Sequence, residues 1–137
     1  MVSARYEMSI PFFDVDSMNI VWHGNYVKYL ELARCHLLDT IGYGYRSMFD
    51  SGYSFPIVDM RLKYLQALYF EQDIIIEAKL TEWELRIKIE YLIRDKTTKQ
   101  KLTKGYTVQA AVDAETKVMR LSCPREFISK VSQLMAD

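Results

Sequence analysis

The chain has 137 residues, which fits one domain with enough interior for a real core. Its 18 basic residues balance its 18 acidic ones, so no net charge draws it to nucleic acid or to an anionic membrane. The N-terminal segment lacks the basic end and apolar run of a signal peptide, and no apolar stretch approaches membrane-spanning length. We therefore expect a single cytoplasmic domain over residues 1–137, with no nucleic-acid partner and no integral membrane segment.

Two cysteines, Cys35 and Cys123, are too few for a disulfide framework and lack the spacing of zinc ligands. We predict that both are reduced packing residues. The sequence contains no P-loop, no dinucleotide-binding glycine fingerprint and no nucleophile elbow. No metal site is predicted.

The first predicted elements are a strand near residues 6–12 and a helix over residues 26–41. Within the helix, apolar residues recur at spacings of three and four, which lines one face. Gly42 and Gly44 follow the last apolar position and are predicted to end the helix.

Most of the remaining chain shows the alternation of apolar and polar residues that is typical of strands. The predicted strands cover residues 57–65, 74–81, 85–93, 102–112 and 118–121. Polar stretches at residues 95–100 and 113–117 are predicted to be hairpin loops, and residues 124–135 a terminal helix. One early helix with five or six antiparallel strands is an α+β pattern, in which a curved sheet packs around the helix.

Two acidic residues, Asp14 and Asp16, precede the helix in a D-V-D sequence. We do not interpret them as an acid pair. A turn or cap role is the simpler interpretation for Asp14. Asp16 is followed by a turn-like Ser-Met-Asn sequence that would bring it to the helix start, where a carboxylate can attack a carbonyl or activate water.

The helix start itself contains His23, Gly24 and Asn25. A lone histidine is more often a packing residue than a catalyst. Gly24 permits close approach of a ligand to the backbone, and Asn25 is a candidate cap. Main-chain N–H groups at His23 and Gly24 are therefore candidate donors to a carbonyl oxygen, as in an oxyanion hole.

Charged residues beyond the loop have two possible interpretations. Glu31 and Arg34 lie three apart on the helix and predict a weak surface pair. Arg86, Lys88 and Arg94 form a basic row on the outward side of the 85–93 strand. Such a row is usually a solvated face; the alternative is that it receives the phosphates of a nucleotide-bearing substrate.

Several short motifs resemble those of one known family. They are D-V-D at residues 14–16, I-V-W-H at 20–23, N-Y at 25–26 and E-L-A-R at 31–34. In these motifs and in residues 59–78 the chain is similar to the hotdog-fold acyl-CoA thioesterases of the 4-hydroxybenzoyl-CoA thioesterase and YbgC type. The loop position that is usually glycine in this family is Asn19, which also tolerates a left-handed backbone.

The resemblance implies a hotdog fold, in which an antiparallel sheet wraps one long helix and two protomers share active sites at their interface. It also implies that Asp16 is the catalytic carboxylate, that the N–H at His23 and Gly24 polarises the thioester carbonyl, and that the His23 ring assists. Tyr26 and Glu31 are expected at the substrate. The implied protein is a homodimer or homotetramer that hydrolyses an acyl thioester without a cofactor.

Three functional hypotheses follow. The leading one is hydrolysis of an acyl-CoA to a free acid and CoA. The second is hydrolysis of an acyl group carried by an acyl carrier protein, since the basic cluster of the aryl branch is only partly matched here. The third is a non-catalytic protein that binds acyl thioesters. A catalytic role for Asp16 argues against the third, because a binding module needs no carboxylate at the reacting carbon.

Overall fold

A computed structural model of the chain describes residues 1–136 as one helix lying on an antiparallel sheet, with two further helices. The helices are α1 (Tyr26–Ile41), α2 (Tyr45–Asp50) and α3 (Arg125–Ala136). The strands are β1 (Ser3–Ser9), β2 (Tyr53–Ser54), β3 (Ile57–Tyr64), β4 (Asp73–Glu82), β5 (Arg86–Asp95), β6 (Lys101–Ala110) and β7 (Val112–Asp113). Two 3-10 turns, Phe12–Asp14 and His23–Asn25, lie between β1 and α1.

The five long strands form one sheet in the order β1-β4-β5-β6-β3, and all neighbours are antiparallel. β4, β5 and β6 are consecutive, so the predicted meander and its loop at residues 95–100 are confirmed. Alternate residues of these strands, such as Leu80 opposite Ile89, are buried against the helical side. The residues between them form a polar outer face. The predicted α+β architecture is thus observed.

Helix α1 begins and ends where the periodicity predicted. Tyr29 and Leu37 are fully buried, and the helix packs mainly against β1 and β4. It ends at Gly42, whose φ of 87° is a left-handed conformation that glycine adopts without a Cβ clash. The carbonyl oxygen of Gly42 accepts a hydrogen bond of 2.6 Å from Lys130 Nζ, which ties α3 to this end of α1.

Two expectations for the elements were wrong, and some short elements were not predicted. The first strand is Ser3–Ser9 rather than residues 6–12, because Pro11 lacks an N–H and residues 12–14 turn instead. Residues 118–121 form only an isolated bridge from Met119 to Val112, since their side chains are exposed and pack on little. The helix α2 and the small β2–β7 pair were not predicted, because both are too short to show a period.

This topology leaves β1 and β3 as the two edges of the sheet. Strand β3 follows α2 and β2 in the chain, and its last residue, Tyr64, reaches back to the start of α1. None of the helices within residues 1–136 is long and apolar enough to cross a membrane.

Candidate active site

The loop before α1 folds back on itself between Asp14 and Trp22. Val15 and Val21 form an antiparallel bridge, and the Asp16 N–H donates to the Ile20 carbonyl oxygen at 2.9 Å. Asn19 has a φ of 64°, the left-handed conformation that was expected at this position. The tight turn therefore holds Asp16 beside the first residues of the helix.

The Asp16 carboxylate is exposed, and one of its oxygens is already engaged. Oδ1 accepts the N–H of Met18 at 2.8 Å and that of Ile20 at 3.3 Å, which fixes the side chain in its turn. Oδ2 has no hydrogen-bond partner among residues 1–136. An oriented carboxylate with one free oxygen is suited to accept a proton or to attack carbon.

The start of α1 supplies hydrogen-bond donors next to this carboxylate. The 3-10 turn His23–Asn25 runs directly into α1, so the first N–H groups have no acceptor in the preceding turn. Within the described chain, neither the His23 nor the Gly24 N–H donates to another protein group. Both lie at the positive end of a long helix dipole, where developing negative charge is stabilised.

Asp16, His23 and Tyr26 line one pocket of about 330 Å³, which opens to solvent. The end of β3 and the following segment form its other wall, through Tyr64, Leu65 and Gln66. Tyr26 is 2 % exposed, and burial raises the pKa of its phenol, so the ring presents a neutral wall. The structure thus brings together three of the residues that the sequence predicted for the site.

The His23 ring is exposed beside the Trp22 indole, with 5.1 Å between the ring centroids. Its main-chain oxygen accepts a hydrogen bond of 3.1 Å from the Tyr64 hydroxyl. Tyr64 was not predicted as a site residue. Its place on the strand could be inferred from the 57–65 pattern, but its contact with a residue so distant in the chain could not.

Gly24 is closely covered by the Trp22 side chain. A Cβ atom at Gly24 would lie 2.2 Å from the indole ring, so any larger residue must displace that ring. Asn25 was a candidate cap, but its side chain forms no capping hydrogen bond at the start of α1. Its Nδ2 instead donates to the Asp14 carbonyl oxygen at 2.9 Å, which ties the loop to the helix start.

Asp14 is a buried structural residue, and its interpretation as a simple turn residue was wrong. It is 3 % exposed, and its carboxylate accepts 2.6 Å hydrogen bonds from Lys28 Nζ and from the Tyr29 hydroxyl. Burial, followed by this hydrogen bond, raises the pKa of Tyr29, so the phenol remains a donor. Because the Asp14 main-chain oxygen also accepts the Trp22 N–H, this residue connects both arms of the loop to α1.

The Glu31–Arg34 pair forms, but it is not the surface pair that was expected. Arg34 is 5 % exposed and donates to Glu31 Oε2. Burial lowers the pKa of Arg34, but the Glu31 carboxylate more than offsets this, so the guanidinium stays charged. Within one chain Glu31 does not line the Asp16 pocket.

Arg86 and Lys88 lie on the outer face of β5, as the alternation predicted, and away from the Asp16 pocket. Arg86 donates to the Glu82 carboxylate at 2.9 Å. Lys88 Nζ lies 4.8 Å from the centroid of the Tyr106 ring. Over residues 1–136, no group of three or more His, Cys, Asp or Glu side chains is placed to hold a metal ion.

One long helix packed on a five-stranded antiparallel sheet is the architecture of the hotdog class of α+β proteins. Residues 10–132 match the model of a family described as the thioesterase-like superfamily. The chain belongs to that superfamily.

Two bacterial proteins are similar to this chain in sequence. A Synechocystis protein provisionally named an esterase is 28 % identical over 123 residues, which cover 86 % of this chain and 74 % of that protein. A Bacillus subtilis protein provisionally named an acyl-CoA thioesterase, YneP, is 25 % identical over 80 residues, or 58 % of each chain.

Solved structures of thioesterases share the fold. The DHNA-CoA thioesterase from Staphylococcus aureus has a TM-score of 0.88 at 21 % identity, covering 99 % of this chain and 93 % of that one. A mutant 4-hydroxybenzoyl-CoA thioesterase complexed with 4-hydroxybenzoyl-CoA has a TM-score of 0.83 at 18 % identity, covering 95 % and 99 %. At these identities the likeness establishes a common fold.

Proposed function

We propose that this protein is an acyl-CoA thioesterase, which hydrolyses an acyl thioester to a free acid and a thiol. The observation that supports the proposal is a pocket lined by both Asp16 and His23, at the start of α1, where the N–H groups of His23 and Gly24 have no protein acceptor in the described chain. Membership of the thioesterase-like superfamily supports the same chemistry. The names of similar proteins, which include CoA thioesterases, support CoA as the thiol.

In the proposed reaction the thioester carbonyl oxygen lies against the N–H groups of His23 and Gly24. A water molecule, activated by Asp16 Oδ2, adds to the carbonyl carbon while its proton passes to the carboxylate. The C–S bond then breaks, and the thiolate leaves and takes up a proton. Direct attack by Asp16, followed by hydrolysis of the resulting anhydride, is the alternative route to the same products.

The main contribution of the backbone to catalysis is stabilisation of the oxyanion. Removing a single such donor typically lowers the rate by roughly a hundredfold or more. The donors here belong to the main chain, so substitution of the His23 side chain does not remove them. In this proposal the exposed His23 ring assists at the reacting centre, and Tyr26 packs beside the substrate.

Glu31, Arg86 and Lys88 are proposed substrate-binding residues that lie outside the pocket of their own chain. Glu31 is seven residues beyond Gly24 on the helix, which corresponds to about 10 Å along its axis. A side chain at that distance can serve the site of a second copy. The proposal therefore includes a homodimer or homotetramer, built from single-domain chains of residues 1–137.

The proposal also includes a cytoplasmic location. Cys35 and Cys123 are both free, and burial raises the pKa of the Cys123 thiol to about 12. A thiol that stays protonated is not reactive, which suits a packing residue in a reducing compartment.

Replacement of Asp16 by Asn tests the mechanism. Asn keeps an oxygen for the Met18 N–H, so the turn survives, but it can neither accept a proton nor attack carbon effectively. We expect kcat for thiol release to fall roughly a hundredfold or more. The measurement is release of free thiol from a panel of acyl-CoA and acyl-carrier-protein substrates.

Asp50→Asn is the matched control, since Asp50 is exposed on α2 and lies outside the pocket. A folded Asp16→Asn protein with wild-type turnover would show that Asp16 is not the catalytic group. Faster turnover of carrier-bound substrates would favour the acyl-carrier-protein alternative. Binding of acyl-CoA by the wild type with no thiol release across the panel would identify a non-catalytic binding protein.

A further inference from the structure

The outer face of the sheet, on the side away from α1, contains a groove of about 610 Å³. Five basic side chains from three strands line it. They are Arg61 and Lys63 on β3, Lys79 on β4, and Lys101 and Lys104 on β6. All five are exposed, and we call this feature the basic groove.

None of these five cations lies within ion-pair distance of a carboxylate in the part of the chain that the structure describes. Two acidic residues, Glu77 and Glu90, also line the groove. The Glu77 carboxylate is already engaged by Arg94 Nε at 3.0 Å. Glu90 is the cross-strand partner of Lys79, so the groove keeps an excess of positive charge in a protein whose net charge is zero, and this favours an anionic ligand.

Two of the lysines are placed against each other. Lys63 and Lys104 are direct partners in the antiparallel pairing of β3 with β6, so their side chains leave the same face side by side. Like charges directly opposite each other on a sheet are destabilising. A bound anion between them removes this repulsion, so the arrangement is explained if the groove binds one.

The basic groove meets the Asp16 pocket at the end of β3. Leu65 lines both cavities. The side chain of Tyr64 bonds to His23 in the pocket, while that of its neighbour Lys63 lies in the groove. Lys63 is two residues, or about 7 Å of strand, from Leu65. A ligand that enters the pocket by its thioester end can thus continue around Leu65 onto the basic face.

We propose that the basic groove binds the phosphates of the nucleotide end of CoA, with Lys63 and Lys104 as the central pair. This inference rests on the proposed thioesterase function, because it assigns the other end of the same substrate. It differs from the expectation for the β5 row, where Arg86 is paired with Glu82 and Lys88 lies over Tyr106. Free lysines beside the pocket are the better phosphate ligands.

The test compares the double variant Lys63→Ala/Lys104→Ala with the wild type on two substrates that share one acyl group. One is the acyl-CoA, and the other is the acyl-pantetheine, which lacks every phosphate. We expect KM for the acyl-CoA to rise roughly tenfold, the effect of losing two exposed charge contacts. KM for the acyl-pantetheine and kcat for both substrates should stay unchanged.

Two further variants provide the controls. Lys96→Ala/Arg125→Ala removes the same charge from exposed positions outside the groove and should leave both KM values unchanged. Arg86→Ala/Lys88→Ala tests the rival row on β5. If KM for the acyl-CoA rises more in the Arg86/Lys88 variant than in the Lys63/Lys104 variant, the proposal is overturned.

Binding of CoA, measured by calorimetry, separates this inference from the proposed function. Tighter CoA binding by the wild type than by the Lys63/Lys104 variant supports the groove even if no thioester is hydrolysed. Equal CoA affinities, or equal rises in KM for both substrates, would contradict it. A rise in KM that is confined to acyl-carrier-protein substrates would also contradict it. The Lys63→Ala/Lys104→Ala variant also lacks the repulsion between these two lysines, so its melting temperature should be no lower than that of the wild type.

Discussion

Asp14 and Asp16 are two residues apart, but they have different roles. Asp14 is buried and accepts hydrogen bonds from Lys28 and Tyr29, whereas Asp16 is exposed and keeps one free oxygen. The segment is not extended through both residues: Asp14 ends the 3-10 turn Phe12–Asp14, whereas Val15 is paired with Val21, so the two carboxylates point to different sides. The buried carboxylate stabilises the loop that holds the exposed one in place.

Because of this division, the same substitution at the two sites should give different results. We predict that Asp14→Asn lowers the free energy of unfolding by about 1.5–3 kcal/mol, since an amide N–H₂ would then face the Lys28 ammonium. Asp16→Asn should change it by less than about 0.5 kcal/mol, as is usual at an exposed site. Urea unfolding of both variants measures the two effects.

Thiol release measured for Asp14→Asn and Asp16→Asn adds activity to this comparison of stability. Asp16→Asn should be stable and inactive, and Asp14→Asn should be less stable and retain part of its activity. If Asp14→Asn is as stable as the wild type, the hydrogen bonds of its carboxylate do not hold the loop.

At the scale of elements, β3 joins the two proposed binding regions. Its inward residue Tyr64 closes the Asp16 pocket, and its outward residues Arg61 and Lys63 line the basic groove. It is also an edge of the sheet, so one row of its main-chain groups has no partner strand within residues 1–136. An edge strand of this length is a template for pairing with a second copy.

We predict that two copies pair antiparallel through β3 about a two-fold axis at Met60. This register places Asp59 opposite Arg61 of the partner subunit, twice, and Val58 opposite Leu62 of the partner subunit. Opposite charges across a strand pair stabilise it by about 0.2–1 kcal/mol each, whereas like charges oppose it. Asp59→Arg should therefore weaken the dimer, and the exchange Asp59→Arg/Arg61→Asp should restore it.

Light scattering over a dilution series measures this effect. The wild type should have at least twice the 16.1 kDa mass of the chain, and Asp59→Arg should dissociate to monomers at a higher concentration than the wild type does. A wild-type monomer at all concentrations, or an exchange variant no tighter than Asp59→Arg, would exclude this register.

For the molecule as a whole, several buried acids resist ionisation. Burial raises the pKa of the Cys123 thiol to about 12 from an ordinary value of 9.0, and it also raises those of Tyr26, Tyr43 and Tyr91. In the unfolded chain these groups lose their protons near their ordinary pKa values. Above about pH 9 the folded state therefore binds more protons than the unfolded state.

We predict that the free energy of unfolding falls as the pH rises above about 9. Below that pH both states keep these protons, so this stabilisation is fully present there. Replacing Cys123 by Ala should reduce the slope between pH 9 and 11 by up to about 1.4 kcal/mol per pH unit. Urea unfolding at a series of pH values measures the slope, and an unchanged slope would show that Cys123 ionises in the folded protein.

The sequence alone determined the parts of the fold that depend on neighbouring residues. The bounds of α1 follow from its apolar spacing and Gly42, and the three strands of the meander follow from alternation. The left-handed Asn19 and the turn that holds Asp16 were also predictable, because short-range hydrogen bonds form them.

Only the tertiary structure decided which charges are buried, paired or free. Arg34 and Asp14 have ordinary surface patterns in the sequence, but the packing of the sheet and the loop buries both. Lys63 and Lys104 become neighbours because β3 crosses to the far side of β6, which no local pattern encodes. Solvation and Coulomb energy depend on contacts between distant segments, and those contacts exist only after the chain has folded.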